Sequence, residues 1–377
     1  MKILIIGPAH PLRGGGITTF NHRLAKEFTA QGFDCAIVSF SLQYPSFLFP
    51  GKSQFSTEPP PDGVKIHTLI NSVNPLNWLS IGRKVKNWKP DLVIVRFWLP
   101  FMGPSLGTIL RLIKKNRHTK IICIADNVIP HEKRIGDKPF TQYFLKTCDA
   151  FVTMSEKVMA DLRSFTTKPA IQVPHPLYDN FGEKISKEAA RQNLGLSASD
   201  KIIVFFGFIR RYKGVDLLLQ AMADQRIKEQ NIKLLIAGEF YEDEQLYRNL
   251  IETLGLKEQI ILHNQFIQDE DVKNYICAAD CIVQPYRNAT QSGVTPLAYH
   301  FEVPMIVTNV GGLPALVPHR KAGLVAEPDP QSIAAAILQF YKTGEAFFLP
   351  HIKEEKAKLS WQKLTEAILQ LSRNINR

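Results

Sequence analysis

Short apolar runs recur along this chain at the length of buried strands, and segments with helical periodicity lie between most of them. The runs are residues 3–6, 35–40, 92–95, 120–124, 150–153, 202–206, 233–236, 260–262, 281–283 and 305–308. The helical segments are residues 18–31, 107–116, 154–165, 215–228, 244–254 and 269–278. Nearly continuous apolar strands that alternate with helices indicate parallel sheets covered by helices on both faces.

The alternation occurs twice, and prolines and glycines at residues 173–199 interrupt it between the two halves. The sequence therefore predicts an α/β fold with two Rossmann-like, doubly wound parallel-sheet domains that face a cleft. Ligand sites are expected at the carboxyl ends of the strands. We place the domains at 1–180 and 181–350, and we expect a C-terminal helix within 351–377 to pack back on the first domain.

The composition is that of a globular protein, with 45% hydrophobic and 21% charged residues. The net charge of +11 is unevenly distributed along the chain. Residues 1–180 contain 23 Lys and Arg against 12 Asp and Glu, whereas residues 181–377 contain 23 of each kind. Because the whole positive excess lies in the first half, an acidic partner should bind there.

Several classes of protein are disfavoured by the motifs that are missing. The five cysteines form no Cys-x-x-Cys pair, which predicts reduced, buried thiols. The apolar run at the N-terminus is too short for a signal peptide, and no window approaches a membrane span, so a cytoplasmic protein is expected. No hydrolase or nucleic-acid-binding motif occurs. Asp269-Glu270-Asp271 stands at the start of a predicted helix, where acidic residues interact favourably with the helix dipole. We therefore interpret this segment as a helix cap rather than as a metal site.

The segment from Phe205 to Leu217 contains the strongest chemical signal in the chain. An apolar strand runs into Gly207, the cations Arg210 and Lys213 follow, and a helix comes next. Glycine lets the backbone approach a ligand, and a helix start offers unpaired N–H groups at the positive end of its dipole. This loop is suited to a diphosphate; the alternative is an exposed turn that merely carries charged side chains.

A second loop of the same kind follows the apolar strand at residues 281–283. Thr290 and Ser292 are suitable N-cap residues for the helix expected after it, and Gly293 permits close approach of the backbone. Two helix starts in one α/β domain can converge on one ligand. The sequence therefore predicts that the loops near residues 210 and 292 bind the same pyrophosphate group.

Two loops of the first domain are further candidates. Gly14, Gly15 and Gly16 follow the first strand without the spacing of a dinucleotide-binding or Walker loop. We expect a mobile loop that closes over substrate, with a structural turn as the alternative. Asp126 opens a polar cluster, residues 126–134, at the end of the fourth predicted strand, where an α/β sheet places ligand groups. Ordinary loop chemistry is the alternative for that cluster.

Basic and aromatic residues adjoin one another in the first domain. The apolar segment 46–50 lies beside Lys52, and the cationic segment 111–120 comes after the aromatic segment 97–102. This combination suits the surface of an anionic membrane. A solvated helix end with buried aromatic residues is the alternative.

Together these segments resemble the retaining glycosyltransferases of family four, which have the two-domain GT-B fold. The likeness is carried by residues 207–219 and 303–314, and by Ala237-Gly238-Glu239 and Pro174-His175-Pro176, in that family's order. It implies that the first domain binds the acceptor and the second binds a nucleotide sugar. Ala289 and Leu297 stand where the family commonly has two glutamates, the second of which usually bonds the nucleotide ribose.

The resemblance also implies roles for the matching residues. Arg210 and Lys213 would hold the donor diphosphate, Asp126 aligns with a histidine that many members carry, and these three are the predicted catalytic residues. The glycine-rich loop would border donor and acceptor. The predicted donor-binding residues are Gly14, Gly15, Gly16, Gly207, Glu239, Thr290, Gln291, Ser292, Gly293 and Val294.

The predicted function is that of a metal-independent retaining hexosyltransferase without a cofactor. Its donor would be a nucleotide diphosphate sugar, and its acceptor a growing, lipid-linked cell-surface glycan. The expected location is the cytoplasm, with the basic first domain on the inner face of the membrane and no nucleic acid as partner. The alternatives are a non-catalytic glycan- or lipid-binding relative, motivated by Ala289 and Leu297, and a sugar phosphorylase.

Overall fold

The computed structural model describes residues 1–13, 15–45, 53–57, 59–130, 134–289 and 292–375. Contacts divide the chain into two units. Unit 1 comprises Met1–Pro176 with Ser360–Arg377, and unit 2 comprises Leu177–Leu359. The first division falls within a few residues of the predicted one, whereas the predicted C-terminal segment 351–377 is split between the units.

Unit 1 is built on a parallel sheet with the strand order β3-β2-β1-β4-β5-β6-β7 in the part of the chain that the structure describes. The strands are β1 (Lys2–Ile6), β2 (Asp34–Leu42), β3 (Lys65–Asn71), β4 (Leu92–Phe97), β5 (Lys120–Ala125), β6 (Ala150–Thr153) and β7 (Ala170–Gln172). All neighbouring strands pair in parallel. The central strands are almost wholly buried, as their continuous apolar sequences require.

The helices of unit 1 include two sets that pack together. They are α1 (Gly16–Ala30), α2 (Pro75–Trp88), α3 (Gly103–Lys114), α4 (Asp137–Leu145), α5 (Glu156–Arg163) and α15 (Trp361–Asn374). α2 packs on α3, and α3 packs on α4. α15 packs on α1, where the rings of Trp361 and Phe20 lie 4.8 Å apart and Gln31 Nε2 donates a 2.8 Å hydrogen bond to Thr365 Oγ1.

Unit 2 contains a second parallel sheet, with the described strands in the order β10-β9-β8-β11-β12-β13. The strands are β8 (Lys201–Phe206), β9 (Ile232–Ala237), β10 (Ile260–His263), β11 (Cys281–Gln284), β12 (Met305–Thr308) and β13 (Gly323–Ala326). The helices are α6 (Lys187–Asn193), α7 (Val215–Met222), α8 (Gln225–Glu229), α9 (Glu244–Thr253), α10 (Val272–Ala278), α11 (Val294–His300), α12 (Leu313–Leu316), α13 (Pro330–Thr343) and α14 (Leu349–Lys356). No helix within the described ranges has both the length and the apolar character to cross a membrane.

The prediction of two parallel-sheet α/β domains is confirmed, and each predicted strand lies inside an observed one. Three strands were not predicted, namely β3, β7 and β13, and each lies at the edge of its sheet. Strand β3 is partly exposed along its length, so its sequence is not a continuous apolar run. The single helix predicted at 215–228 is wrong, because Asp224 caps a new helix, α8, by accepting a hydrogen bond from Arg226 N.

Candidate active site

The two candidate loops of unit 2 follow adjacent strands. β8 and β11 are neighbours, and β9, the next strand after β8 in the chain, lies on the other side of β8. Loops at such a switch point run in opposite directions, and α/β folds bind ligands in the crevice that this creates beyond the strand ends. The strand order therefore brings the loop near residue 210 to the loop near residue 292.

Glycines allow the loop after β8 to pack tightly against its neighbours. Gly207 has φ 109°, and a Cβ on Gly238 would lie 2.1 Å from the Gly207 carbonyl oxygen. Residues Arg211–Lys213 form one turn of 3-10 helix, and Gly214, with φ 67°, leads into α7. A Cβ on Gly214 would lie 2.0 Å from the Pro285 carbonyl oxygen, so only glycine permits this approach between the two loops.

A chain of side-chain hydrogen bonds joins the two loops. Lys213 Nζ donates to the hydroxyl of Tyr286 at 2.7 Å, and that hydroxyl lies 3.2 Å from Ser292 Oγ. Ser292 Oγ in turn accepts from Val294 N, the first residue of α11, at 3.2 Å. The ammonium group of Lys213 is therefore linked through two hydroxyl groups to the start of α11.

Backbone and charged groups reinforce this junction. Arg287 N donates to the Tyr212 carbonyl at 2.8 Å, and the Arg287 guanidinium forms an ion pair with Asp216 at the start of α7. Thr308 Oγ1 donates to the Tyr286 carbonyl at 2.6 Å, which ties the second loop to the end of β12. The two loops form one packed structure at the carboxyl edge of the sheet.

Two cations at this junction have no acidic partner among the described residues. The Arg210 guanidinium lies 4.9 Å from the ring centre of Tyr241 and makes no ion pair there. Lys213 is half-buried, and its partner is the uncharged Tyr286. Burial lowers the pKa of Lys213 from its ordinary value, and the positive charge of Arg210 lowers it further. Two neighbouring cations without an acidic partner among the described residues, close to a helix start, can attract an anion.

Aromatic side chains adjoin the cations on the side of β9 and β10. Phe208, Tyr241 and Phe266 come from the loops after β8, β9 and β10, and each is partly exposed. The Phe208 ring lies 4.4 Å from that of Tyr241 and 6.4 Å from that of Phe266. Glu239 is buried beside them, and its carbonyl accepts from Ile209 N at 2.9 Å.

The remaining predicted donor residues of unit 2 lie at the start of α11. Ser292 and Val294 are buried, and a Cβ on Gly293 would lie 3.4 Å from the ring of Tyr178. Thr290 and Gln291 lie outside the described residues. Ala289 and Leu297, the two departures from the family pattern, are 2% and 3% exposed, so both lie in the packed interior.

In unit 1 the segment before the three glycines is held by neighbouring residues. Ala9 N donates to Ser39 Oγ at 2.9 Å, His10 N donates to His22 Nε2 at 3.0 Å, and Arg13 N donates to the Gln54 carbonyl at 2.9 Å. Burial lowers the pKa of His22 to about 4, which keeps it neutral and able to accept that bond.

Of the three glycines themselves, two are placed by the structure. Gly15 precedes α1 as its N-cap residue, and Gly16 is the first residue of that helix. Gly14 lies outside the described residues. The mobility predicted for this loop stays a prediction.

Asp126 is buried in an ion pair with Arg96 on the neighbouring strand. Arg96 Nε donates to Asp126 Oδ2 at 2.9 Å, and Arg96 Nη2 donates to Oδ1. The guanidinium also lies 4.1 Å from the ring centre of Phe20 on α1. The structure thus places Asp126 as the counter-charge of Arg96, and its predicted catalytic role stays a prediction. The neighbouring residues 131–133 lie outside the described residues.

Two residues of these sites were missed at the sequence level. Tyr286 follows the proline at the end of β11, and its role depends on a partner 73 residues away along the chain. Arg96 gave a usable signal, because a charged residue inside the apolar run Leu92–Phe97 requires a buried partner.

Comparison with protein families agrees with this architecture. The model described as "Glycosyltransferase Family 4" matches residues 14–179, and the model described as "Glycosyl transferases group 1" matches residues 186–358. The chain is 27% identical over 265 residues to a D-inositol 3-phosphate glycosyltransferase of Corynebacterium urealyticum, covering 66% of this chain and 61% of the relative. It is 26% identical to spore coat protein SA of Bacillus subtilis, covering 52% of this chain and 54% of that protein. The alignments thus span between about half and three-fifths of these relatives.

Solved structures show the same fold over the whole chain. Sucrose-phosphate synthase from Thermosynechococcus elongatus has a TM-score of 0.75 at 18% identity, covering 99% of this chain and 98% of that one. HepE from Anabaena, solved in complex with UDP and glucose, has a TM-score of 0.73 at 15% identity, covering 98% and 99%. With both family models matched in order and the parallel-sheet units in place, the chain belongs to the family-four glycosyltransferases with the GT-B fold.

Proposed function

We propose that this protein is a retaining, metal-independent hexosyltransferase whose donor is a nucleotide diphosphate sugar. The observation that carries the proposal is the junction of unit 2, where Arg210 and Lys213 have no acidic partner within the described ranges and lie near the start of α11. A diphosphate supplies the missing negative charge and accepts hydrogen bonds from both side chains. The complex of the structurally similar HepE with UDP supports this choice of ligand.

The aromatic residues beside the cations suit the base of the same nucleotide. The partly exposed rings of Phe208, Tyr241 and Phe266 offer π surfaces next to Arg210. A planar heterocycle gains from stacking on such surfaces whatever its hydrogen-bonding edge. We assign this cluster to the base. Leu297 is buried and apolar, so the ribose hydroxyls must bond groups other than that side chain.

The chemistry requires charge stabilisation more than a protein nucleophile. In a front-face transfer, the bond between the anomeric carbon and the phosphate oxygen breaks while the bond to the acceptor oxygen forms on the same face. The acceptor proton passes to the departing phosphate. Arg210, Lys213 and backbone N–H groups near Ser292 would stabilise the charge that develops on that phosphate. Asp126 would act in unit 1 through its ion pair with Arg96.

We assign a glycan acceptor attached to lipid, with unit 1 on an anionic membrane. α2 and α3, which pack together, carry Arg83, Lys84, Lys86 and Arg111 and no acidic residue. Lys114 of α3 is excluded from this set because it forms an ion pair with Asp149. Leu76 at the start of α2 is 77% exposed. Cations beside exposed apolar side chains bind the surface of anionic bilayers, with about 1 kcal/mol for each Lys or Arg near the surface. The segment 46–50 lies outside the described residues.

Calorimetric titration with UDP, ADP and GDP tests the nucleotide site. Arg210→Ala and Lys213→Ala should each weaken binding of the preferred nucleotide by roughly 10-fold to 100-fold, as expected for hydrogen bonds to charged groups. Arg211→Ala is the matched control, because Arg211 is the exposed neighbour on the same loop and should bind normally. Unchanged binding in both variants would refute the assignment, and a wild-type protein that binds no nucleotide would favour the non-catalytic alternative.

Two further measurements separate the remaining alternatives. A sugar phosphorylase would consume inorganic phosphate and release a sugar phosphate. The proposed enzyme would instead release a nucleoside diphosphate, at a rate that a chelator of divalent metals does not lower.

Co-sedimentation with phosphatidylglycerol vesicles tests the membrane surface. The double variant Lys84→Glu/Lys86→Glu should lose binding, and Lys257→Glu on an exposed side chain of unit 2 is the control.

A further inference from the structure

Tyr286 is a buried residue whose hydroxyl lies between the two loops of the nucleotide site. Its side chain is almost completely covered, yet the hydroxyl contacts Lys213 Nζ at 2.7 Å and Ser292 Oγ at 3.2 Å. The ammonium group also lies 4.0 Å from the centre of the Tyr286 ring. Tyr286 therefore meets the same cation both as a hydrogen-bond acceptor and through the face of its ring.

The backbone at Tyr286 is held by the fold, and burial confines its ring. Thr308 Oγ1 holds its carbonyl, and the next residue, Arg287, is bonded through its backbone to Tyr212. Lys213, by contrast, carries its charge on a flexible four-carbon stem, which loses rotamer entropy whenever it is held in one place. A rigid neutral partner can hold the ammonium in place without cancelling its charge, which a carboxylate could not do.

We propose that Tyr286 is a positioning residue that holds the Lys213 ammonium in the orientation needed to bind the donor phosphates. This inference rests on the proposed function, since it assigns a role inside the same site. Tyr286 would also transmit the position of Lys213 to Ser292, so that the loops after β8 and β11 bind the phosphates as one unit. It touches no substrate in this role and acts through Lys213.

A double-mutant cycle with Lys213 tests the inference. In the wild-type background, Tyr286→Phe keeps the ring, removes the hydroxyl and should raise the dissociation constant for UDP roughly tenfold. In a Lys213→Met background the same change should barely alter the dissociation constant for UDP, because the ammonium group that the hydroxyl positions has been removed. Inorganic pyrophosphate should lose affinity by the same factor as UDP, because the effect is exerted at the phosphates.

Tyr299→Phe is the matched control for loss of a buried hydroxyl. Tyr299 is as deeply buried as Tyr286, but its hydroxyl donates to the Leu316 carbonyl at 2.6 Å. Tyr299→Phe should lower the thermal stability and leave the dissociation constant for UDP unchanged. The inference is overturned if Tyr286→Phe binds UDP normally, or if it weakens UDP equally in both backgrounds, since that marks a purely structural role. If the wild-type protein binds no nucleotide, the proposed function is overturned, and the inference that rests on it falls with it.

Discussion

The two halves of this chain carry their charge in opposite ways. Residues 1–180 hold the entire positive excess, yet at the carboxyl edge of their sheet the buried Arg96 is neutralised by Asp126. Residues 181–377 have no net charge, yet Arg210 and Lys213 at the corresponding edge have no acidic partner among the described residues. The net charge of a domain and the pairing of its individual cations are therefore separate properties, and the proposed nucleotide site rests on the second.

Burial explains why the two edges differ. Arg96 is almost completely inaccessible, and a charge removed from water needs a counter-charge close by. Arg210 and Lys213 each remain partly exposed, so water has some access to them until a ligand arrives. We expect the first edge to respond to mutation through stability and the second edge to respond through ligand binding.

Among single substitutions, the largest expected effect comes from breaking the buried pair of unit 1. Asp126→Ala leaves the Arg96 charge buried and unpaired, which should lower the free energy of unfolding by about 3–5 kcal/mol. Urea denaturation followed by circular dichroism measures the change. Asp34→Ala is the control, because it breaks the exposed pair with Lys65 and should cost less than about 1 kcal/mol. Equal losses in the two variants would contradict the distinction.

Acidification should also lower the free energy of unfolding, mainly that of unit 1. Burial lowers the pKa of His22 to about 4 and that of His175 to about 3, whereas both would titrate near 6.5 when unfolded. The unfolded chain therefore binds more protons below pH 6.5. The stabilisation is complete above that pH and is lost as the pH falls, with a slope of up to about 1.4 kcal/mol per pH unit for each histidine.

The midpoint of urea unfolding, measured between pH 7 and pH 4, checks this dependence. His22→Gln keeps a hydrogen-bond acceptor for His10 N but cannot titrate, so its stability should fall less steeply. A slope identical to that of the wild type would show that His22 does not contribute.

A smaller effect is expected from a glycine at the junction of unit 2. Gly214→Ala requires an alanine at positive φ and places its Cβ against the Pro285 carbonyl. Gly195→Ala is the control, because that glycine has a similar φ of 68° but no atom within 4 Å of the added Cβ. The control reports the backbone strain alone, on the order of 1 kcal/mol, and Gly214→Ala should cost more and weaken UDP binding. Equal melting temperatures would show that the close approach is unimportant.

The smallest expected effect concerns the ion pair at the rim of the junction. Arg287→Ala removes the partner of Asp216, but both side chains are about one-third exposed. Such pairs contribute roughly 0–1 kcal/mol, so stability should change by less than that amount. The dissociation constant for UDP should change far less than in Lys213→Ala. A large loss of binding would mean that Arg287, too, contacts the ligand.

Much of the fold could be predicted because buried parallel strands have continuous apolar sequences. The strands that were not predicted, β3, β7 and β13, lie at sheet edges. Partial exposure removes the apolar signal in β3 and β7, whereas β13 is a mostly buried strand of only four residues. Strand order was not readable from the alternation of strands and helices. The loops near residues 210 and 292 meet because β8 and β11 are neighbours, which only the structure shows.

The candidate site was predictable where the neighbouring residues in the sequence indicate a function. Arg210 and Lys213 stand out because glycine and a helix start surround them. The ion pair of Asp126 was not predicted, because its partner Arg96 lies 30 residues away and on the adjacent strand. Tyr286 was missed for the same reason, since an isolated tyrosine after a proline gives no sign of its partners.

The return of α15 to unit 1 has a consequence for biosynthesis. Unit 2 ends at Leu359, so its residues have all been translated before the ribosome reaches α15. Unit 1, although translated first, lacks the contact between Phe20 and Trp361 until α15 emerges from the exit tunnel. The middle of the polypeptide can thus mature before its beginning, and a premature stop codon after residue 359 would damage the part of the protein that was made earliest.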